Sequence, residues 1–306
     1  MKVTYKLSTR VLLFFIIVIG GIVWLWSLLP ENKISFTHHF PEYGDVRFAV
    51  IGDFGENGKY EKYVAELTKS WHPDLIITVG DNNYGRGSVK TIDRNIGKYY
   101  QQYIFPYKGR YGKGADKNRF FPTLGNHDLL TENAKAYFDY FSLPGNERYY
   151  DFTWGPIHFF TINSFDQEKD GIEIGSKQAA WLEDKLSHSD KKWKIVYFHN
   201  PPYTSGKKHP SNEGLQWPYK EWGATAVISG HNHLYERIIK DGFPYFTNGL
   251  GGSSIYSFRE KPLSTSAARY NKQHGIMIVD VNEQCAEFKF VNIRDEIIDR
   301  YSVCQE

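Results

Sequence analysis

Two cysteines are all the chain carries in 306 residues, too few for the disulfide lattice that holds small secreted folds, so the structure must rest on a packed core. Charge of one sign is missing too. The 37 Lys and Arg stand against 35 Asp and Glu, a formal net charge of +2, without the basic excess by which proteins hold nucleic acid through its phosphates. Nucleic acid is therefore not an expected partner. The sequence has no N-x-S/T sequon, internal repeat or low-complexity tract. It has no P-loop lysine signature and no G-x-S-x-G elbow, which removes the usual support for nucleotide-driven or covalent-serine chemistry. What it does have is ample apolar and aromatic content, enough to fill one large domain or two small ones.

Long apolar runs are absent after the first thirty residues. At the start, Lys2, Lys6 and Arg10 precede an apolar run over residues 11–29, closed by Pro30. That length approaches the roughly 20 residues a helix needs to cross a bilayer and exceeds the about 7–15 of a cleaved signal's apolar region. Nothing like A-x-A follows, and Trp24 and Trp26 stand near the outer end, where indole rings favour the interface. The expectation is an uncleaved transmembrane signal anchor: N-terminus cytoplasmic, the rest periplasmic or extracellular. A cleaved signal and a buried core helix are the alternatives, and the all-round apolar character argues against the second. The chain then divides into residues 1–30 (anchor), 31–44 (linker) and 45–306 (one soluble domain).

Outside the cytoplasm a disulfide can persist. Cys285 and Cys304 flank alternating segments, 286–293 and 297–303, around a polar turn. A hairpin there would set them nearly opposite, while a register change of one residue would separate them, so a disulfide and two free thiols both stay open.

From residue 46 on, apolar runs ending in Gly-containing turns alternate with polar, helix-like segments. Strands are expected over 46–51, 75–79, 119–124, 157–162, 194–198 and 225–228, and helices over 60–70, 91–104, 134–141 and 177–186. After Tyr235 the pattern is strands and hairpins. This rhythm predicts an α/β fold of two packed mixed β-sheets with helices outside.

Five of the apolar runs end in a metal-ligand side chain: Asp53 in GDFG, Asp81 in GDNNY, Asn126 in GNHD, His199 in YFHN, and His231 with His233 in SGHNH. In open α/β sheets ligands collect beyond the carboxyl ends of the strands, so residues far apart in sequence converge on one crevice. Glycine before the ligand, at Gly52, Gly80, Gly125 and Gly230, lets the backbone turn sharply and approach an ion closely. Singly, a strand-end Asp serves as well as a helix cap. The ordered set is not explained that way.

The strings GDFG, GDNNY, GNHD, FHNPPY and GHNH resemble, in this order, the five motifs of the calcineurin-like metallophosphoesterases. Tyr84, three residues after Asp81, and the string GHNHLYER resemble the purple acid phosphatase branch, over about residues 46–303. The chain differs from the plant enzymes in leaving no room for their additional N-terminal β-domain. The resemblance implies an α/β/β/α sandwich with two metal ions, the first held by Asp53, Asp81, Tyr84 and His233, the second by Asp81, Asn126, His199 and His231, with Asp81 bridging. Hard oxygens and a phenolate suit Fe(III), whereas two imidazoles and an amide suit Fe(II), Zn or Mn. Such a pair, about 3.5–4 Å apart, activates a water and stabilises in-line displacement on a phosphate ester.

The expected activity is that of an acid phosphatase-like phosphomonoesterase using a metal-bound hydroxide. A phosphodiesterase or pyrophosphohydrolase on the same core, and an inactive membrane-tethered binding module, are the other readings; the full donor set argues against the last. His127, beside Asn126, is implied as the main acid or phosphate-orienting donor, with His209 assisting, although His209 also reads as a solvated loop histidine. Glu236 and Arg237 read as an ion pair under the ligand turn, and His38, His39, His72 and His188 as surface residues.

Overall fold

A computed structural model describes Thr37 and residues 45–305. The expected membrane span and most of the linker lie outside the described residues, among which no helix is long and apolar enough to cross a membrane. The described residues form one compact unit.

Two mixed sheets face each other. The first runs β1 (Val46–Ile51), β2 (Leu75–Thr78) and β3 (Phe120–Pro122) in parallel, and on the other side of β1 adds the antiparallel strands β11 (Gly275–Val281), β12 (Cys285–Asn292) and β13 (Ile297–Cys304). The second is ordered β10 (Ser266–Tyr270), β8 (Tyr235–Lys240), β9 (Phe243–Asn248), β7 (Ala226–Ser229), β6 (Trp193–Tyr197), β5 (Ile157–Thr161) and β4 (Tyr150–Trp154), with β5, β6, β7 and β9 parallel. Strand alternation builds the layers. Ile195 and Tyr197 on β6 join Phe48, Val50, Phe159, Met277 and Phe288 between the sheets, whereas Val196 and Phe198 point the other way, under Leu182 and Leu186.

The helices cover the outer faces. Helix α1 (Lys59–Ser70) buries Val64 and Leu67, and α5 (Lys177–Ser187) starts where Ser176 Oγ accepts a hydrogen bond from the Ala179 N–H at 3.1 Å, an N-cap. Leu182 on α5 is fully buried, so truncation to Ala costs about 2–5 kcal/mol. The expected strands and the helices 60–70 and 177–186 match within a residue or two. The expected helix 91–104 is helical over residues 92–103 but changes type along its length, from a π-turn (Asp93–Gly97) through the short α2 (Lys98–Tyr100) to a 3₁₀ turn (Gln101–Tyr103). In its first turn the Asp93 carboxylate turns inward to accept the hydroxyls of Tyr107 (2.6 Å) and Tyr140 (2.9 Å) and the Arg110 N–H (3.0 Å). Helices α3 (Asn126–Leu129) and α4 (Lys135–Tyr140), the latter within the expected 134–141, lie between β3 and β4.

The hairpin β12–β13 sets Cys285 opposite Cys304, and the two are joined as a disulfide. The Glu236–Arg237 pair does not form. Neighbours on a strand face opposite ways, so Arg237 forks onto Asp299 (2.8 and 2.9 Å) while Glu236 is buried against residues 204–205. His188 is exposed and His72 half-buried; His38 and His39 lie outside the described residues.

Candidate metal centre

Asp53, Asp81, Asn126, His199 and His231 each follow a strand of the parallel cores, and His233 precedes β8, so all leave the sheets at one end. The sharp turn does not fall where the glycines do. Asp53, Asp81 and His231 themselves hold φ of 56°, 52° and 68°, and of the preceding glycines Gly80 alone has positive φ, at 87°. Gly125 serves close approach: a Cβ there would lie 2.0 Å from the Asp81 backbone nitrogen.

The ligand atoms converge. Single ligating atoms of Asp53, Asp81 and His233 lie within 4.8 Å of one another. His233 Nε2 stands 3.2 Å from Asp53 Oδ1 and 2.9 Å from the Tyr84 hydroxyl, which is itself 3.3 Å from Asp53 Oδ1. His199 Nε2 stands 3.1 Å from both Asn126 Oδ1 and His231 Nδ1, 3.5 Å from Asp81 Oδ2 and 4.0 Å from Asp53 Oδ1. All seven expected ligands therefore meet in one cluster, with Asp81 and Asp53 between its two halves.

Backbone carbonyls fix the tautomers. His199 Nδ1 lies 2.7 Å from the Val79 oxygen and His233 Nδ1 2.6 Å from the Ser254 oxygen. A carbonyl accepts and cannot donate, so both Nδ1 atoms carry a proton and both Nε2 atoms are the ones turned to the cluster, where a metal ion would be ligated. The Nε2 of His199 faces the oxygens of Asn126 and Asp81. A cation placed among these imidazole, amide and carboxylate atoms would find donors on several sides. The donor set fits a metal pair.

The charge state agrees. Burial works against the Asp53 charge, yet the imidazoles of His233, His199 and His231 hold its carboxyl below the ordinary range. Burial, with His199 and His209 nearby, pushes His231 down to about 2, so its ring is neutral and free to ligate. Burial and the charges of Asp53 and Asp81 raise the Tyr84 phenol well above its usual value; only a strongly polarising ion would make it a phenolate.

His127 and His209 flank the cluster on different elements. The His127 N–H donates to Asp81 Oδ1 at 2.8 Å, its Nδ1 lies 2.9 Å from the Gly85 oxygen, and its ring packs 4.4 Å from Tyr84. The His209 ring packs 3.9 Å from that of His231.

Several supports were not read from the sequence. Asp128 Oδ2 accepts from the N–H groups of Asn82 (3.2 Å) and Gly125 (2.9 Å) and from Asn82 Nδ2 (2.8 Å), tying the second and third motifs together. Burial and the Asp81 charge push Asp128 up to about 6. Tyr256 stacks on His233 with centroids 3.9 Å apart. Asn82 and Asp128 stand inside motif strings, so a signal existed; their mutual contact spans 46 residues and did not.

Residues 46–235 match the calcineurin-like phosphoesterase family, and the chain belongs to it. Within the family its relatives are purple acid phosphatases. "Purple acid phosphatase 17" of Arabidopsis thaliana is 23% identical over 298 residues, covering 84% of each chain. Among solved structures, purple acid phosphatase PPD1 from yellow lupin (Lupinus luteus) seeds has a TM-score of 0.68 at 16% identity, covering 87% of this chain and 56% of the lupin chain. GAP50, described as the anchor in the inner membrane complex of Plasmodium, has a TM-score of 0.67 at 20% identity, covering 86% of this chain and 89% of its own. Both share the fold. The chain is a metal-dependent phosphatase.

Proposed function

We propose that the protein is a phosphomonoesterase with a dinuclear centre, one ion held by Asp53, Asp81, Tyr84 and His233 and the other by Asp81, Asn126, His199 and His231. The observation that carries this is the convergence of the donor atoms of Asp53, Asp81, Tyr84, Asn126, His199, His231 and His233 in one cluster at the strand ends. Fe(III) in the first position, with Fe(II), Zn or Mn in the second, suits the donors. When bound, the ions supply Lewis acidity and an activated water for in-line displacement at phosphorus.

The chain's own residues do the rest. Asp81 ties the two halves while its Oδ1 takes the His127 N–H. With its Nδ1–H turned to the Gly85 oxygen, His127 offers Nε2 to the leaving oxygen, and it gives up a proton there when the ring is doubly protonated. His209 orients the phosphate from the other rim. Consistent with the apolar N-terminal run, we place the catalytic domain outside the cytoplasm on a membrane anchor.

The test is turnover of an aryl phosphate by the full chain in detergent alongside metal analysis. Two ions per chain, loss of activity on chelation and loss of both ions in Asp81→Asn are expected. A chain that hydrolyses diesters faster than monoesters, or an Asp81→Asn variant that keeps both ions, would overturn the reading.

A further inference from the structure

Asn95 lies in the π-turn Asp93–Gly97 and is buried, 1% exposed. Its Nδ2 donates to three oxygens: the carbonyl of Gly55 at 2.6 Å, Oδ1 of Asn83 at 2.9 Å and the carbonyl of Tyr84 at 3.1 Å. Those oxygens belong to two loops that carry ligands of the first ion. Gly55 follows Asp53 in GDFG, and Asn83 and Tyr84 follow Asp81 in GDNNY. The Tyr84 N–H donates to the same Gly55 carbonyl at 2.8 Å. The loops are in close contact here, since a Cβ on Gly55 would lie 1.7 Å from the Asn82 oxygen. One buried amide therefore joins them.

Helix formation does not require an amide at this place. Among the described residues nothing donates to Asn95 Oδ1, and a buried polar atom left so costs stability. A π-turn fits an extra residue into a helix and recurs at functional sites. In this one the two polar acceptor-bearing side chains have different partners: Asp93 takes the hydroxyls of Tyr107 and Tyr140, and Asn95 turns to the loops of the metal centre.

We propose that Asn95 is a positioning residue for Tyr84, fixing the backbone that carries the phenol and with it the approach of the phenol oxygen to the first ion. This rests on the reading of Tyr84 as a ligand. The Tyr84 hydroxyl stands 2.9 Å from His233 Nε2 and 3.3 Å from Asp53 Oδ1, so a displaced backbone at residue 84 would draw one hard donor out of the set and leave the others in place. Fe(III), the ion that most favours a phenolate, is then the one whose hold weakens. Asn95 acts through Tyr84 and meets neither ion nor substrate.

The test uses the full chain in detergent, loaded with iron, and reads the phenolate-to-metal band in the oxidised protein at equal iron content. Asn95→Ala should shift the band, and competition with a chelator should show iron held on the order of 10–100-fold less tightly. Thr91→Val is the control. It removes the other hydrogen bond to Asn83 Oδ1, 2.7 Å long, and leaves those of Asn95 Nδ2 in place, so it should lower stability without moving the band. Should Asn95→Ala not fold, Asn95→Ser, whose hydroxyl is one bond short of the three oxygens, carries the same expectation. A band that Tyr84→Phe removes but that the Asn95 variant leaves unmoved overturns the proposal alone, and so does an equal shift in Thr91→Val, which would mark a general loosening of the loops. A colourless unaltered chain with a full iron complement overturns the Tyr84 reading and the proposal with it.

Discussion

At the scale of single residues, the centre depends on how protons are shared out by the backbone. With the Nδ1 of His127 committed to a carbonyl, Nε2 is the atom left for substrate, and positioned acid catalysis contributes about 10²–10⁴-fold. His127→Ala should lower turnover within that range while metal content stays near normal, and the loss should be larger on an alkyl phosphate than on an activated aryl phosphate, whose leaving group needs less protonation. Equal losses on both would make His127 a phosphate-positioning residue. For Tyr84, ligation by Fe(III) predicts a visible phenolate-to-metal band in the oxidised protein that Tyr84→Phe removes. A colourless protein with a full iron complement would reject that assignment.

Between residue and fold stand the loops that hold the rim. Glu236, wholly buried at the start of β8, accepts from the Ser205 N–H (2.7 Å), the Thr204 hydroxyl (3.3 Å) and the Ser266 hydroxyl (2.6 Å). It anchors the loop that presents His209, and Asn232 Nδ2 pins the far end through the His209 oxygen at 3.1 Å. Glu236→Ala leaves buried donors without a partner, a cost of about 1–3 kcal/mol. The variant should keep its metals and raise KM to the level of His209→Ala, with the double variant no worse than either single one; additive losses would show that the two act separately. This anchor also marks where sequence reading ran out. Strand-end ligands announce themselves because glycine turns and donor residues recur at the ends of apolar runs. Glu236 and Arg237 announced a pair that strand alternation forbids, and their true partners lie about thirty and sixty residues away. Helix 91–104 was legible in its apolar spacing, but its π-turn was not, and the tyrosines that bond Asp93 lie beyond the segment.

For the molecule as a whole, the membrane reading rests on the first thirty residues, and it predicts that they stay attached. The full chain should fractionate with membranes and show an intact N-terminus by mass; a mature protein beginning after Pro30 would overturn it. The left-handed backbone at Asp53, Asp81 and His231 has a consequence of a different kind. Each non-glycine residue held there costs on the order of 1 kcal/mol, a cost that glycine would relieve and that only ligand chemistry justifies. Stability and activity are thus opposed at the same three positions. A laboratory selection for heat resistance, run with metal withheld, would favour glycine at each of them and enrich for folded, inert molecules.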